Sequence, residues 1–223
     1  MFFPPFLTLI LIVFLGLLFF VFTLVKLGLF AAAFAKLGVD PEHVFSLLIL
    51  CMAGSMVNIP VRRIPAPPGV LPPPEVVSFF GMRYRVPRRP TRDTVLAVNL
   101  GGAVIPSVLS LYLLFSAESP VRMLLALAVV TFVCYNLARP VPGMGIALPV
   151  FVPPLVAAAS ALLLDPASPT ATAYVAGTLG TLIGADILNI GKIASLGAPV
   201  ASIGGAGTFD GIFLTGILAV LIA

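Results

Sequence analysis

The sequence predicts an all-α membrane protein: a polytopic bundle of about seven transmembrane helices, with a glycine-rich re-entrant connector before the last helix. Of the 223 residues, 60% are hydrophobic and only 9% are charged, and the mean hydropathy is +1.19. Several apolar runs approach the ~20 residues that a helix needs to cross a bilayer. These runs are apolar on every face, whereas barrel strands alternate in polarity, so strands are not expected to matter. We expect one transmembrane domain over residues 1–223.

Seven apolar segments are predicted to be the spans. In chain order they cover residues 5–25, 42–59, 94–115, 121–138, 144–164, 170–191 and 208–223. The first span lacks a positively charged start and is too long for a signal peptide's apolar region, so we expect it to be retained. Residues 26–38 either prolong this helix or lie along the membrane interface.

Prolines mark where several of these helices begin or break. Asp40-Pro41, Ser119-Pro120 and Ser168-Pro169 each indicate an N-cap residue followed by proline at the first helical position. Inside the fifth span, Pro149, Pro153 and Pro154 predict a kink or an unwound turn, since proline removes a backbone donor. His43 belongs to the start of the second helix.

Residues 60–93 form a basic loop, with nine prolines and seven arginines. Proline at this density excludes one continuous helix. We expect a cytoplasmic loop that contacts anionic lipid headgroups between Arg62 and Arg92, and no nucleic-acid partner. With Arg139 and Lys192, the same side then holds nine of the twelve basic residues. The positive-inside rule therefore predicts a cell (inner) membrane protein with a cytoplasmic N-terminus and an external C-terminus.

No metal or cofactor is predicted. Cys51 and Cys134 both fall in apolar runs, where free cysteine behaves as a small hydrophobe, and a disulfide is not expected. With one histidine in the chain, no metal-ligand spacing exists. The sequence carries no signal for the oligomeric state.

Asp186 and Asp210 are the candidate catalytic residues. A carboxylate at membrane depth costs roughly 2.5–3.5 kcal/mol on insertion scales, so an ionisable residue there indicates a functional site. The connector between them, IASLGAPVASIGGAG, is apolar and glycine-rich, so we expect it to dip back into the protein and let the carboxylates converge. The expected substrate-binding lining is Asn189, Thr208, Gly207 and Asn99.

The sixth span carries small residues at helical spacing. Ala173, Gly177 and Thr181 form one stripe, and Gly180 and Gly184 form a GxxxG pair beside it. Such stripes predict close approach of a neighbouring backbone. The stretches VNLGGAVIPS (98–107) and LNIGKIASLGAPVAS (188–202) also resemble each other, as the two halves of repeat-built transporters do.

The runs NLGGAVIPS, IGADILNIG and SIGGAGTFDGIFLTG resemble the signature stretches of a family of prokaryotic multi-pass membrane proteins, the domain of unknown function number 1614. The resemblance extends from about residue 42 to the end. It implies a membrane fold and no particular activity.

A looser resemblance is to the intramembrane aspartyl proteases, the presenilin, signal-peptide-peptidase and prepilin-peptidase type. These place one aspartate on each of two adjacent helices, the second in a Gly-x-Gly-Asp motif. The resemblance implies that Asp186 and Asp210 form a catalytic dyad. Two departures stand out: Phe209 replaces the second glycine of the motif, and the family's Pro-Ala-Leu element is matched only loosely by residues 147–149, Ala-Leu-Pro.

Three functions stay open on these residues. In a diaspartyl hydrolase, two carboxylates about 3 Å apart cannot both ionise, so one serves as an acid while the other activates water. In an ion-coupled transporter or channel-like carrier, the same groups bind a cation or shuttle protons. In a structural protein, Asp210 or Thr208 caps the last helix and Asp186 pairs with Lys192 or Arg139.

Overall fold

The computed structural model describes residues 5–65, 76–79, 82–85, 93–141, 145–193, 200–205 and 211–223. It is mostly helical, with 73% helix. The α-helices are α1 Pro5–Lys36, α2 Pro41–Ser55, α3 Ile105–Phe115, α4 Pro120–Leu137, α5 Val152–Leu164, α6 Pro169–Thr181, α7 Ile190–Ile193 and α8 Gly211–Ile222. The predicted helix starts at the Asp-Pro and Ser-Pro pairs are confirmed, because α2, α4 and α6 each begin at the proline. The predicted N-cap residues Asp40, Ser119 and Ser168 make no side-chain capping hydrogen bond to these helices.

Three helical segments of the described chain are long and apolar enough to cross a membrane: Ile12–Lys36, Pro120–Leu137 and Pro169–Ile193. Four other apolar helices are shorter: Glu42–Ser55, Leu100–Phe115, Val152–Leu164 and Gly211–Ile222. At about 1.5 Å per residue, a helix of 12 residues is about 18 Å long, less than the ~30 Å hydrocarbon layer. Seven full spans are therefore not confirmed, since strands and turns use residues that the sequence assigned to helices.

Helix α1 continues without a break to Lys36, so residues 26–36 prolong the first helix, one of the two predicted outcomes. It runs parallel to α8, with the rings of Phe30 and Phe213 edge to face at 5.5 Å. Lys36 Nζ lies 3.3 Å from the carbonyl oxygens of both Val220 and Leu221, and donates to them. The side chain thereby caps the C-terminal end of α8.

Helix α6 is the centre of the bundle, with every residue from Thr172 to Thr181 buried. It packs against α4, α5 and α8. A Cβ on Gly180 would lie 2.8 Å from Val130 of α4, and one on Gly177 would lie 3.4 Å from the methyl groups of Ala157 and Ala219. The predicted close approach along the small-residue stripes is confirmed.

Strands are part of the fold, and the prediction that they would not matter is wrong. The strands are β1 Asn58–Pro65, β2 Val76–Phe79, β3 Met82–Arg85, β4 Asp93–Asn99, β5 Arg139–Val141, β6 Gly145–Ala147 and β7 Val200–Ile203. The largest sheet has the order β1-β4-β7, in which β1 and β4 are antiparallel and β4 and β7 are parallel. Strand β1 holds prolines because an edge strand tolerates a missing donor.

Two hairpins complete the described strands. Strands β2 and β3 pair within the basic loop, and β5 pairs with β6 before α5. The fifth predicted span is thus a strand, a turn and then α5, which begins only at Val152. The break that its prolines predicted is confirmed.

A glycine pair comes after each of the parallel strands β4 and β7. The sequence Gly101-Gly102-Ala103 follows β4, and Gly204-Gly205-Ala206 follows β7. The two glycine turns touch, because a Cβ on Gly102 would lie 1.9 Å from the Gly204 carbonyl oxygen. Residues 98–99 of the first related stretch lie in β4 and residues 200–202 of the second lie in β7, whereas the matching element Asn189-Ile190-Gly191 follows no strand and lies at the end of a 3-10 turn after α6 and the start of α7.

Candidate functional site

The helix that carries Asp186 loses its α-helical geometry just before that residue. After α6, the backbone forms a π-turn over Leu182–Asp186 and a 3-10 turn over Ile187–Asn189, and then resumes as α7. Asn189 Nδ2 donates to the carbonyl oxygens of Gly184 at 2.9 Å and Ala185 at 3.0 Å. The amide thus satisfies carbonyl groups at the break, and π-turns of this kind are frequent at functional sites.

Asp186 is half-buried at the end of the π-turn. Its Oδ2 atom accepts a hydrogen bond of 3.4 Å from the backbone N–H of Gly204. Gly204 directly follows β7 and has a φ of 80°, a conformation that favours glycine. The connector between the last two helices therefore returns to the carboxylate.

A cavity of about 80 Å³ lies beside Asp186. Its polar lining includes Asp186, Thr181 and Thr215, and Gly211 at the start of α8 also lines it. The apolar wall comes from the segment before and at the start of α5: Ile146, Leu148, Pro149, Val150 and Pro153. The volume and the polar groups suit a few water molecules next to the carboxylate.

The predicted site residues fall into three groups. Asp210, Thr208 and Gly207 lie outside the described residues. Asp186 lines the cavity, and Gly211, the residue after Asp210, lines it as well. Asn189 and Asn99 lie in the described part of the chain, and neither lines this cavity.

Asn99 instead joins the sheet to two helices, and it is fully buried. Its Oδ1 atom accepts from the N–H of Gly102 at 2.7 Å, which caps the π-turn over Leu100–Val104. Its Nδ2 atom donates to the Ser55 carbonyl at 2.7 Å and to Asn58 Oδ1 at 3.1 Å. Asn58 Oδ1 also accepts from Ser202 Oγ at 2.6 Å, which reaches strand β7.

Asn189 is 1% exposed, and its Oδ1 atom has no hydrogen-bond partner within the described part of the chain. A few residues further on, Lys192 Nζ lies 5.5 Å from the centre of the Tyr135 ring, a cation–π contact with α4. This contact links the segment after the helix break to α4.

Sequence reasoning did not assign Thr215 to the site, and it linked Leu148 and Pro149 to a site only through the loose match to the proteases' Pro-Ala-Leu element. The sequence could have indicated Thr215 as a site residue, because it lies one helical turn after Gly211 on the same face of α8. Leu148 and Pro149 reach the cavity through the β5–β6 hairpin, which the sequence did not predict.

The fold and the site together have the character of a helical membrane protein: apolar helices surround a buried helix that breaks at a carboxylate. Residues 52–222, more than half of the chain, match the family described as protein of unknown function (DUF1614). The chain belongs to this family, which confirms the resemblance of its signature stretches. No curated protein and no solved structure matches the chain, so the resemblance to intramembrane aspartyl proteases stays a prediction.

Proposed function

We propose that this protein is an intramembrane hydrolase in which Asp186 and Asp210 act as a pair on a peptide bond. The observation that carries the proposal is the cavity beside Asp186. It brings together the first carboxylate, the residue next to the second, and Leu148-Pro149 of the stretch that loosely matches the proteases' Pro-Ala-Leu element. The resemblance requires Asp186, Asp210 and this element at one place, and the position of Gly211 on the cavity wall supports Asp210 as the third part.

The chemistry needs a protonated carboxyl group, an ionised one and a water molecule. Two carboxylates held about 3 Å apart share a proton, so one acts as general acid while the other removes a proton from water. The cavity supplies room for that water. The hydroxyl groups of Thr181 and Thr215 line the same space and would orient it.

The proposed setting is a seven-span domain in the cell membrane, with the N-terminus and the basic loop over residues 60–93 in the cytoplasm. Thr170 Oγ1 donates to the Lys36 carbonyl, and Lys36 reaches the end of α8. These contacts support a topology in which α1 ends, α8 ends and α6 begins on one side. Arginines such as Arg62 and Arg63, both exposed on β1, would meet anionic headgroups on the opposite side.

The test is cleavage of a helical transmembrane reporter peptide in proteoliposomes. We expect Asp186→Asn and Asp210→Asn each to abolish cleavage, and the double variant to be no worse than either, because the pair acts as a unit. Asp93→Asn, which changes an exposed carboxylate on β4, is the matched control and should cleave normally. Turnover that persists in either single variant would overturn the proposal.

The second candidate function is proton- or cation-coupled transport. The observation that favours it is the helix break at Asp186, because many carriers bind their substrate or coupling ion where a helix is interrupted. The measurement is decay of an imposed pH gradient in proteoliposomes. Transport requires that Asp186→Asn slow the decay, whereas equal rates for wild type and variant would exclude it.

A structural role predicts a third pattern. If Asp210 or Thr208 only caps α8, the valine variant at the capping position lowers the melting temperature and leaves both assays unchanged. Because asparagine is itself a good N-cap residue, Asp210→Asn would then change stability little.

A further inference from the structure

A second cavity, of about 220 Å³, lies at the opposite end of α6. It is enclosed by the end of α3, the first turn of α4, the residue after α5 and the first turn of α6. Its polar lining consists of Ser116, Glu118, Ser119, Arg122, Asp165 and Ser168. Ala171 lines it too, and Asp186 follows 15 residues later, roughly 20 Å along the helix at about 1.5 Å per residue. The two cavities are therefore separate.

Asp165 forms the charged floor of this cavity and is only 3% exposed. Its Oδ2 atom accepts a short hydrogen bond of 2.6 Å from Thr172 Oγ1, which fixes the orientation of the carboxylate. Its Oδ1 atom lies 3.8 Å from Arg122 Nη1, which is too long for a hydrogen bond. A buried carboxylate is stabilised well only when both oxygens have close donors. Among the described residues only Thr172 is recorded as donating to this carboxylate, which leaves Oδ1 open to one more donor.

The Arg122 side chain lies at the rim of the cavity and is 54% exposed, whereas Asp165 is buried. The guanidinium group can therefore meet a second anion without leaving the cavity. Small alanines, Ala117, Ala167 and Ala171, form much of the apolar wall and leave room for a solute.

We propose that this cavity binds a small zwitterion of the α-amino-acid type, with its ammonium group on Asp165 Oδ1 and its carboxylate on Arg122. The two protein charges are 3.8 Å apart, which suits a ligand whose ammonium and carboxylate groups are bonded to the same carbon atom. A simple anion would face both Asp165 and Glu118, and a simple cation would face Arg122. The volume is below that of drug-sized pockets, about 300–1,000 Å³, and matches a smaller solute.

The serine hydroxyls add hydrogen-bonding groups on both sides of the ligand. Ser119 and Ser168 precede the first residues of α4 and α6, and neither side chain caps its own helix. A ligand held between these helix starts would also stabilise their packing. The proposal uses no residue of the Asp186 site, so it stands or falls independently of the proposed hydrolase.

The experiment measures binding of radiolabelled glycine and alanine to the full chain in detergent micelles by equilibrium dialysis. The melting temperature is measured over the same ligand concentrations. We expect saturable binding and a melting temperature that rises with ligand concentration. Methylammonium and acetate, each carrying one of the two charges, should bind at least about tenfold more weakly than the amino acids. γ-Aminobutyrate should also bind more weakly than glycine and alanine, because its ammonium and carboxylate groups are further apart.

Two variants locate the site. Arg122→Gln changes a side chain at the rim, and it should weaken glycine binding about tenfold or more while sparing methylammonium. Asp165→Asn keeps an acceptor for Thr172 and should remove binding of both. Arg139→Gln, an exposed arginine on β5, is the matched control and should bind as the wild type does. Absence of saturable binding in the wild type, or equal binding in wild type and Arg122→Gln, would overturn the proposal.

Discussion

The backbone N–H of Gly204 donates to Oδ2 of Asp186, and the carbonyl of the same Gly204 touches Gly102. One glycine thus connects the candidate catalytic carboxylate to the turn that follows the central strand β4. Because Asn99 caps that turn and holds the end of α2, the position of Asp186 depends on contacts far along the chain.

Gly204→Ala should disrupt this connection. Gly204 has a positive φ, and a Cβ there would lie 2.6 Å from both the N and the Cβ atoms of Ala103. We expect a loss of about 2 kcal/mol or more in the free energy of unfolding, measured by chemical denaturation in micelles. Gly191→Ala is the control, since no atom of the described residues lies within 4 Å of its Cβ position, and its free energy of unfolding should be at least that of the wild type.

Asn99→Ala should be among the most destabilising single polar substitutions. It leaves the Gly102 N–H and the Ser55 carbonyl without their partner in a buried environment, at about 1–3 kcal/mol for each unsatisfied group. The measurement is again the free energy of unfolding. Asn136→Ala removes an exposed asparagine that bonds only the Phe132 carbonyl of its own helix, and it should cost less than about 0.5 kcal/mol. Equal losses for the two variants would contradict this account of Asn99.

The sequence predicts the helix starts and the central helix well, because their signals are local. An aspartate or serine before proline is enough to begin α2, α4 and α6 where they are observed. The small residues of α6 likewise predict its close packing against α4.

The sheet could not be predicted in the same way. Residues 95–98 are apolar and run directly into another apolar segment, so the hydropathy pattern merges strand β4 with helix α3. The pairing of Val95 with Val200 joins residues more than 100 positions apart, and no local pattern encodes it. Asp186 was found because a carboxylate is costly in an apolar chain, whereas Leu148 and Thr215 belong to the site only through tertiary packing.

Gly184→Ala should separate α4 from the end of the central helix. A Cβ at Gly184 would lie 2.4 Å from the Thr131 carbonyl oxygen and 2.8 Å from Cys134 Cβ, so backbone must move. We expect a loss of about 1–3 kcal/mol in the free energy of unfolding. Gly28→Ala on α1 serves as the control for the general effect of alanine in a helix, because no atom in the described ranges lies within 4 Å of its Cβ position.

Lys36→Met should loosen the packing of α1 on α8. The ammonium group donates to two carbonyl oxygens at the C-terminal end of α8, where a positive charge is favoured by about 0.3–1 kcal/mol. Thermal unfolding should show a small decrease in melting temperature, and hydrogen exchange should increase in the last turn of α8. Lys36→Arg keeps the charge and should recover most of the difference. An unchanged exchange rate in Lys36→Met would show that the two hydrogen bonds do not hold this end.

Thr215→Val tests whether the cavity beside Asp186 takes part in the reaction. Valine has nearly the shape of threonine, so the packing of α8 against α6 is kept while one hydroxyl is removed from the cavity wall. If that hydroxyl orients the water that Asp186 activates, cleavage of the transmembrane reporter should fall by about tenfold or more, in the range that a positioned hydrogen bond contributes. The melting temperature should change little.

Thr23→Val is the control, because Thr23 Oγ1 donates only to the Phe19 carbonyl on exposed helix α1. A loss of cleavage that matches a loss of folded protein in Thr215→Val would assign Thr215 to the packing of the bundle rather than to the site.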